Sequence, residues 1–539
     1  MNKTGLIFIG FILLTSFGNA QNDTSEIFNE NNNIYHNWYN KSPIEDEIFG
    51  AEVDKAYAEL LHNKKSTTIV VAVIDGGMDI HHEDLKDNIW VNPNEIPNNN
   101  IDDDNNGYID DMHGWNFLGN SAGENIANEN LEVTRIYRNY KDRFENLDPR
   151  SISDIEKPLY ETYQKAKKIY FEKLNEAKDT KKQLETFRDN YETSKNEVSS
   201  YHETDSLIIS DLSNFKSDDK DLMKHVSFLK FLYSNGFTED ALEEMEDHNN
   251  EELDYHLNLD FQPRQIIGDN PTDISENYGN NNVYGPKAEH GTFVAGIIGA
   301  VRNNDLGING VASDVKIMAI KTVPNGDERD KDVAKAIRYA VDNGARIINM
   351  SFGKDISPQK YLVDDAIKYA QENDVLMIHA AGNEALNNDK VPHYPTKFVD
   401  HKTEMETWIT VGASAIKGDM EFAAIFSNYG RKTVDLFAPG VDVKSLLPED
   451  HYDILSGTSF SSPVVAGVAA LILSYYPELS AREVKEIILS STNQYPRTKV
   501  YKPGFKKNKR KKTRFKKLSS TAGIVSAYKA IQLAEEKYQ

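Results

Sequence analysis

The chain has 539 residues, 39% hydrophobic and 10% aromatic, enough to bury a real core and too apolar for wholesale disorder. A formal net charge of −24 disfavours general binding to nucleic acid or anionic lipid. With no cysteine, a disulfide framework, a thiol nucleophile, a thiolate metal site and a cysteine-linked lipid anchor are all excluded.

Lys3 supplies a positive start, Leu6 to Phe17 an apolar run, and Gly18-Asn19-Ala20 small residues suited to cleavage. The run is shorter than the ~20 apolar residues a spanning helix needs. Residues 1–20 are therefore expected to be a cleaved secretory signal, giving a periplasmic or extracellular protein, in preference to a membrane anchor. No later segment is apolar enough to span a bilayer. Gln21 to about Lys65 is polar and Asn-rich, and fewer than fifty residues separate Ala20 from the first strand. That looks too short for a large folding pro-segment. The mature protein is expected to keep this stretch, with Trp38 and the helical pattern Val53–Leu61 belonging to the domain.

Thr68 to Ile74 runs with almost no polar break and ends at Asp75-Gly76-Gly77, the pattern of a strand buried on both faces. The texture returns at Val315–Ile320, Arg346–Met350, Val375–Ala380, Trp408–Val411 and Val434–Phe437. Helical patterns lie between several of these, at Asp332–Asn343, Gln359–Glu372 and Ser459–Tyr475, and a last helix is expected from Gly523 to about Lys537. Strands alternating with such helices predict an α/β fold, a doubly wound parallel sheet. Residues 121–262 do not fit that pattern. They are rich in Lys and Glu, and Leu159, Tyr163, Ala166, Tyr170, Leu174 and Ala177 recur at helical spacing. They are read as a large helical insertion, which divides the α/β domain into 21–120 and 263–539. The basic run Phe505–Lys517 is read as a solvated loop or a patch pairing with the chain's own acidic surface, ahead of a nucleic-acid role.

Chemistry concentrates at the ends of these elements. Asp75 follows a buried strand, so it lies at the carboxyl edge of the sheet, where open α/β sheets place their sites. His290 opens one apolar helix, and Ser459 opens another, with Pro463 in its first turn. A serine hydroxyl needs a base to take its proton, histidine serves near neutral pH, and a carboxylate fixes the histidine tautomer. The resulting oxyanion needs donors, and Asn383 after a buried strand supplies an amide. Each residue alone is weak. Together they fall in the order Asp, His, Asn, Ser. A Gly-x-Ser-x-Gly elbow and the order Ser, Asp, His are absent, so an esterase fits poorly.

Ile101 to Asp111 places oxygen-bearing side chains at alternate positions around a glycine turn. Asp102, Asp104 and Asn106 follow the Asp-x-Asp-x-Asn-Gly start of a calcium loop, with the Tyr108 carbonyl and Asp110 or Asp111 expected to close the shell. His113 stands where an EF-hand has its bidentate Glu, so the loop is not a complete EF-hand. Hard oxygen ligands favour a structural Ca²⁺. No organic cofactor is expected.

The boxes Val73-Ile-Asp75-Gly-Gly77, His290-Gly-Thr-Phe-Val-Ala-Gly296 and Gly457-Thr-Ser459-Phe-Ser-Ser-Pro463 resemble those of the subtilases, over about residues 45–120 and 265–535. The resemblance implies Asp75 as orienting carboxylate, His290 as general base and acid, Ser459 as nucleophile and Asn383 as oxyanion donor. It also implies that a polypeptide substrate adds as a strand to Ser351-Phe352-Gly353, beside Ala381 and Gly382. His393-Tyr394-Pro395 resembles the wall of the primary side-chain pocket. A histidine there would narrow the pocket and, when protonated, favour acidic side chains; the alternative is an outward-facing ring. Gly76, Phe293, Phe460 and Ser461 depart from the usual boxes without removing a catalytic atom. The flanks Asn92–Pro97 and Gly268–Pro271 resemble secreted Bacteroidetes-type members. The rival reading is a catalytically silent scaffold acting through the helical insertion. The intact active-site set argues against it.

Overall fold

The computed structural model describes residues 36–202, 208–505 and 510–538; the expected signal and residues 506–509 of the basic run lie outside the described residues. Two compact units result. One is Val133–Phe261, and the other joins the segments up to Glu132 and from Gln262 onward.

The larger unit is built on a nine-stranded sheet. In chain order its strands are β1 (Ile69–Asp75), β2 (Gly114–Asn116), β3 (Val315–Lys321), β4 (Ile347–Met350), β5 (Leu376–Ala380), β6 (Trp408–Ser414), β7 (Leu436–Pro439), β8 (Asn493–Gln494) and β9 (Gly523–Ile524). They lie in the order β8-β9-β7-β6-β5-β4-β1-β3-β2. Only the β8–β9 pair is antiparallel. β1 pairs with β3 on one side and β4 on the other, so the winding changes direction beside it. Crevices open at such switch points, outside the carboxyl ends of the strands.

Period-two alternation explains why these strands read as unbroken apolar runs. Val71 and Val73 of β1, Ile347 of β4 and Leu376 and Ile378 of β5 enter one core. Ala72 and Ile74, Ile348 and Met350, and Met377 enter the core on the opposite face. Helices α1 (Glu289–Gly299), α4 (Thr458–Tyr475), α5 (Ala481–Ser490) and α6 (Ala527–Tyr538) pack on the first face; α2 (Asp330–Asp342) and α3 (Lys360–Glu372) cover the second. Helix α4 is the one described helix long and apolar enough to cross a membrane, but 89% of it is buried inside the protein.

The last helix starts at Ala527, not Gly523, because Gly523–Ile524 is taken by the sheet as β9. β2 and β8 have no apolar run to announce them. They are short edge strands of three and two residues.

The second unit contains one helix of 46 residues, Lys157–His202. Its Leu184, Phe187, Tyr191 and Val198 form a core with Leu222, Val226, Leu229 and Leu232 of Lys220–Ser234 and Leu242 of Glu239–Glu251. Nearer the start of the long helix, the Tyr163 and Tyr170 rings stack on Tyr137. Asp219 and Thr238 cap the two shorter helices by accepting from backbone amides of their first turns.

The segment ahead of β1 is part of the larger unit's core. Trp38 and Tyr39 are fully buried. Trp38 Nε1 donates to Asp442 O at 2.9 Å, and Tyr39 Oη to Asn309 O at 2.7 Å. The buried Glu52 carboxylate accepts from Asn493 Nδ2 at 2.7 Å and Ser526 Oγ at 2.5 Å, tying this segment to the last elements of the chain. Trp38→Ala should therefore cost about 3–5 kcal/mol of unfolding free energy, measured by denaturant titration. N-terminal sequencing of the active protein should find a start before Trp38; a start near Thr67 would contradict both expectations.

Candidate active site

β1 delivers Asp75 to the sheet edge almost fully buried. Its Oδ1 accepts from the Gly76 backbone N–H at 2.7 Å. His290, on the first turn of α1, brings Nδ1 to 2.8 Å from Oδ1 and 3.0 Å from Oδ2. An ionised carboxylate only accepts, so Nδ1 carries the hydrogen and Nε2 keeps its lone pair for use as a base. This approach requires Gly291: a Cβ there would overlap Gly77 O and stand 3.2 Å from Asp75 Cβ.

Ser459 lies on the first turn of α4. Its hydroxyl donates to Ser351 O at 3.0 Å, and its carbonyl accepts from Ser351 Oγ at 2.8 Å. Phe460, the next residue, holds its ring 5.7 Å from the His290 imidazole, which brings the first turn of α4 beside that of α1. In this arrangement the hydroxyl rests on Ser351 O, and deprotonation by His290 would require it to turn away from that carbonyl.

Asn383 is exposed at the end of the β5 loop. Its Oδ1 accepts from Thr458 N at 2.9 Å and Thr458 Oγ1 at 3.0 Å. Thr458 Oγ1 accepts in turn from Gly382 N at 3.1 Å. With its oxygen tied back, the carboxamide is left to present Nδ2 outward as a donor, beside the amides that open α4. Thr458 was not singled out by the sequence; its place beside the Ser was the available signal.

The segment Ser351–Gly353 leaves β4 at the same edge. Phe352 O is taken by His379 Nε2 at 2.9 Å, and the Ser351 side chain turns inward to Asn349 and Ser462. By strand alternation the backbones of Ser351 and Gly353 are left to face an added strand. Lys354 already pairs antiparallel with Tyr394. Ala381 and Gly382 form the opposite wall, both buried, with Gly382 at a φ of +101° that suits glycine. His393 faces inward, its ring 5.8 Å from that of His379, whose imidazole burial pushes down to about 3.

The family profile described as the subtilase family matches residues 66–516. The chain belongs to the subtilase family. It is 37% identical over 205 residues to subtilisin DY of Bacillus licheniformis, covering 38% of this chain and 69% of that protein. It is 40% identical over 186 residues to the thermophilic serine proteinase of Bacillus sp. strain AK1, covering 34% of this chain and 42% of that one. The chain thus spans under half the length of that proteinase. Among solved structures, the prenylagaramide maturation protease PagA is 27% identical, with a TM-score of 0.36 over 46% of this chain and 82% of that one.

Within the subtilase frame, two departures prove to be one. Phe293 and Phe460, from the His and Ser boxes, pack with ring centroids 4.4 Å apart beside His290. Gly76 brings no side-chain hydroxyl, yet its backbone N–H supplies a hydrogen bond to Asp75. Lys321, missed by the sequence reading, is paired with Asp75 in the sheet register and is 1% exposed. Burial lowers its ammonium to about 8, and Nζ donates to Tyr284 O at 2.8 Å, in the loop leading to α1.

The acidic loop folds on itself. Asp102 accepts from Asn106 N and Gly107 N; Asp104 accepts from Asn106 and from Asn92 Nδ2. The Asp110 carboxylate is turned to the Asn99 and Asn100 amides, at 3.1 and 2.8 Å. Tyr108 puts its ring 5.0 Å from Trp115 and Tyr339. The oxygens that converge belong to Glu95, Asp104 and Asp111, within 4.8 Å of one another. Glu95 stands nine residues ahead of Asp104, outside the alternating pattern of the loop, and joins it only in the folded chain. Burial raises the Glu95 and Asp111 carboxyls above their ordinary range, against the hydrogen bonds they accept, and neighbouring carboxylates add to it, Asp111 and Asp104 at Glu95 and Asp104 at Asp111.

Burial alone would lower the His290 imidazole, but Asp75 outweighs it through charge and hydrogen bond, so the pKa is raised above 6.5. A base works only when neutral, so kcat/KM should rise with pH through a midpoint above 6.5. Asp75→Asn should move that midpoint down as well as reduce the rate. The linkage has the opposite sign for stability: the protonated pair stabilises the fold below 6.5, and that contribution is lost as pH rises through the folded-state midpoint. A pH–rate profile with a midpoint below 6.5 in the wild type would contradict the pairing.

Proposed function

We propose that this protein is a secreted serine endopeptidase that cleaves polypeptides through an Asp75–His290–Ser459 triad. The observation that carries the reading is the His290 Nδ1–Asp75 hydrogen bond of 2.8 Å at the sheet edge that also holds Ser459. In the reaction, Ser459 Oγ attacks the substrate carbonyl while His290 Nε2 takes its proton. Asn383 Nδ2 and the Ser459 backbone N–H receive the developing oxyanion. His290 then passes the proton to the leaving amine, and water repeats the cycle on the acyl-enzyme. The substrate strand lies along Ser351–Gly353, with Ala381 and Gly382 as the facing wall.

Secretion rests on the signal-like residues 1–20, and the flanks of the long gap between Asp75 and His290, Asn92–Pro97 and Gly268–Pro271, carry the resemblance to secreted Bacteroidetes-type subtilases. Ser459→Ala should lower kcat by about 10⁶-fold, the scale known for losing the nucleophile in subtilisin, a relative. Asn383→Ala should cost about 10²–10³-fold, again a scale set by subtilisin. The Ser459 variant should melt like the wild type, whereas Asn383→Ala, which takes the acceptor from Thr458 N and Oγ1, should melt lower. Full activity of the Ser459 variant, or no labelling of the wild type by an organophosphate, would reject the reading.

The proposal includes a structural Ca²⁺ in the acidic loop. The donor set fits a hard cation: Glu95, Asp104 and Asp111 converge with Asp102 and Asn106 alongside, and no His or Cys lies among them. The Asp110 carboxylate braces the Asn99–Asn100 turn, so Asp111 is the carboxylate offered to the cation, and the Tyr108 ring anchors the loop while its carbonyl remains the expected backbone ligand. A cation would offset the repulsion among buried carboxylates and stabilise the fold by mass action. Chelation should lower the melting temperature and speed autolysis. Asp104→Ala should reproduce that loss in excess calcium while organophosphate labelling of Ser459 persists. A melting curve indifferent to chelator and mutation would remove calcium from the proposal.

A further inference from the structure

The carbon that Ser459 attacks must lie between Ser459 Oγ and Asn383 Nδ2. The side chain of the residue carrying that carbonyl begins two bonds away, so it enters the slot between Ser351–Gly353 and Ala381–Asn383. These segments extend neighbouring strands, β4 and β5, which pair up to Met350 and His379.

His393 stands in that slot. A Cβ built on Gly353 would overlap its Nε2, and one built on Gly382 would lie 3.1 Å from its Cε1. The ring edge therefore touches the backbone of both walls. The same Gly382 position would meet the Glu384 carboxylate at 2.6 Å, and that carboxylate is fixed by Asn428 Nδ2 at 2.6 Å. Beyond the imidazole is a cavity of about 150 Å³, lined by His379, His393, Lys397, Thr410 and Thr433. Neither glycine wall nor Ser459 lines it. The imidazole thus separates the slot from the cavity. Lys397 brings no free charge to it, being paired with Asp435 at 2.8 Å and Glu404 at 2.9 Å.

We infer that His393 is the specificity-determining residue of this site, a floor that restricts cleavage to bonds following small side chains such as Gly, Ala and Ser. The obstruction is the ring itself, so it holds in either protonation state. Selection of acidic side chains by a protonated imidazole is not the expected outcome, because the Glu384 carboxylate stands at the same slot. Removing the ring joins the slot to the cavity and admits long side chains. The inference rests on Ser459 being the nucleophile, as proposed above.

The test uses peptides that differ only in the residue before the scissile bond, on the full-length protein and on His393→Gly and His393→Ala. The wild type should cleave after Ala at least about tenfold better, in kcat/KM, than after Leu, Met or Phe. Both variants should gain at least about tenfold on the long side chains and change little on Ala. Organophosphate labelling of Ser459 and melting curves establish that each variant is folded and competent. Wild-type cleavage after Phe as readily as after Ala would overturn the inference, and so would labelled variants with an unchanged profile. A wild type that neither labels nor cleaves any peptide would instead overturn the protease reading beneath it.

Discussion

The site depends on one buried charge at the end of a parallel strand. Asp75 is 3% exposed, and a carboxylate so placed is costly unless its oxygens are occupied. The Gly76 amide and His290 Nδ1 occupy them, and what offsets the burial also fixes the imidazole tautomer. Both partners are set by backbone geometry. Gly76 follows β1 directly, and His290 sits one residue into α1, where only glycine at 291 lets the helix come against the β1 turn. The chemistry is thus a consequence of how closely one helix can approach one strand.

The same constraint accounts for the core behind the site. α1 carries Phe293, Val294, Ala295, Ile297 and Ile298 fully buried, and α4 is buried along nearly its whole length. Two helices this apolar are held in place by packing on both neighbours, so their first turns, which carry His290 and Ser459, are located by the core behind them. The Phe293–Phe460 contact joins the two first turns directly. A residue pair that looks like two unrelated departures in sequence is one interface in space, and a change at either position would leave the other ring poorly packed.

Much of this was legible in the sequence, for identifiable reasons. Strands buried on both faces announce themselves as unbroken β-branched runs, and β1, β3, β4 and β5 were read to within about a residue at each end. Motif residues that end or open such elements inherit that accuracy, so Asp75, His290 and Ser459 could be placed at one edge. Features without a local signature were lost. β2 and β8 are too short to show a period, and Gly523–Ile524 continues an apparent helix pattern until the sheet claims it. Glu95 joins Asp104 and Asp111 only through folding of the intervening turn. Thr458, Lys321 and His379 act through contacts with residues far away in the chain, which no spacing rule reveals.

The contact that makes the site, Asp75 to His290, spans 215 positions of sequence. Closing a flexible loop grows costlier only with the logarithm of its length, so the detour is thermodynamically tolerable even unstructured. Here much of it is not unstructured. Val133–Phe261 has its own apolar core, its own capped helices and the buried Tyr137–Tyr163–Tyr170 stack. A segment that folds on its own contacts acts as a shorter tether between the residues flanking it. That leaves the register of β1 against β3 and β4 to be decided by their own apolar faces. The sheet edge can therefore keep the spacing of Asp75 and His290 while a unit of more than a hundred residues is accommodated between them in the chain.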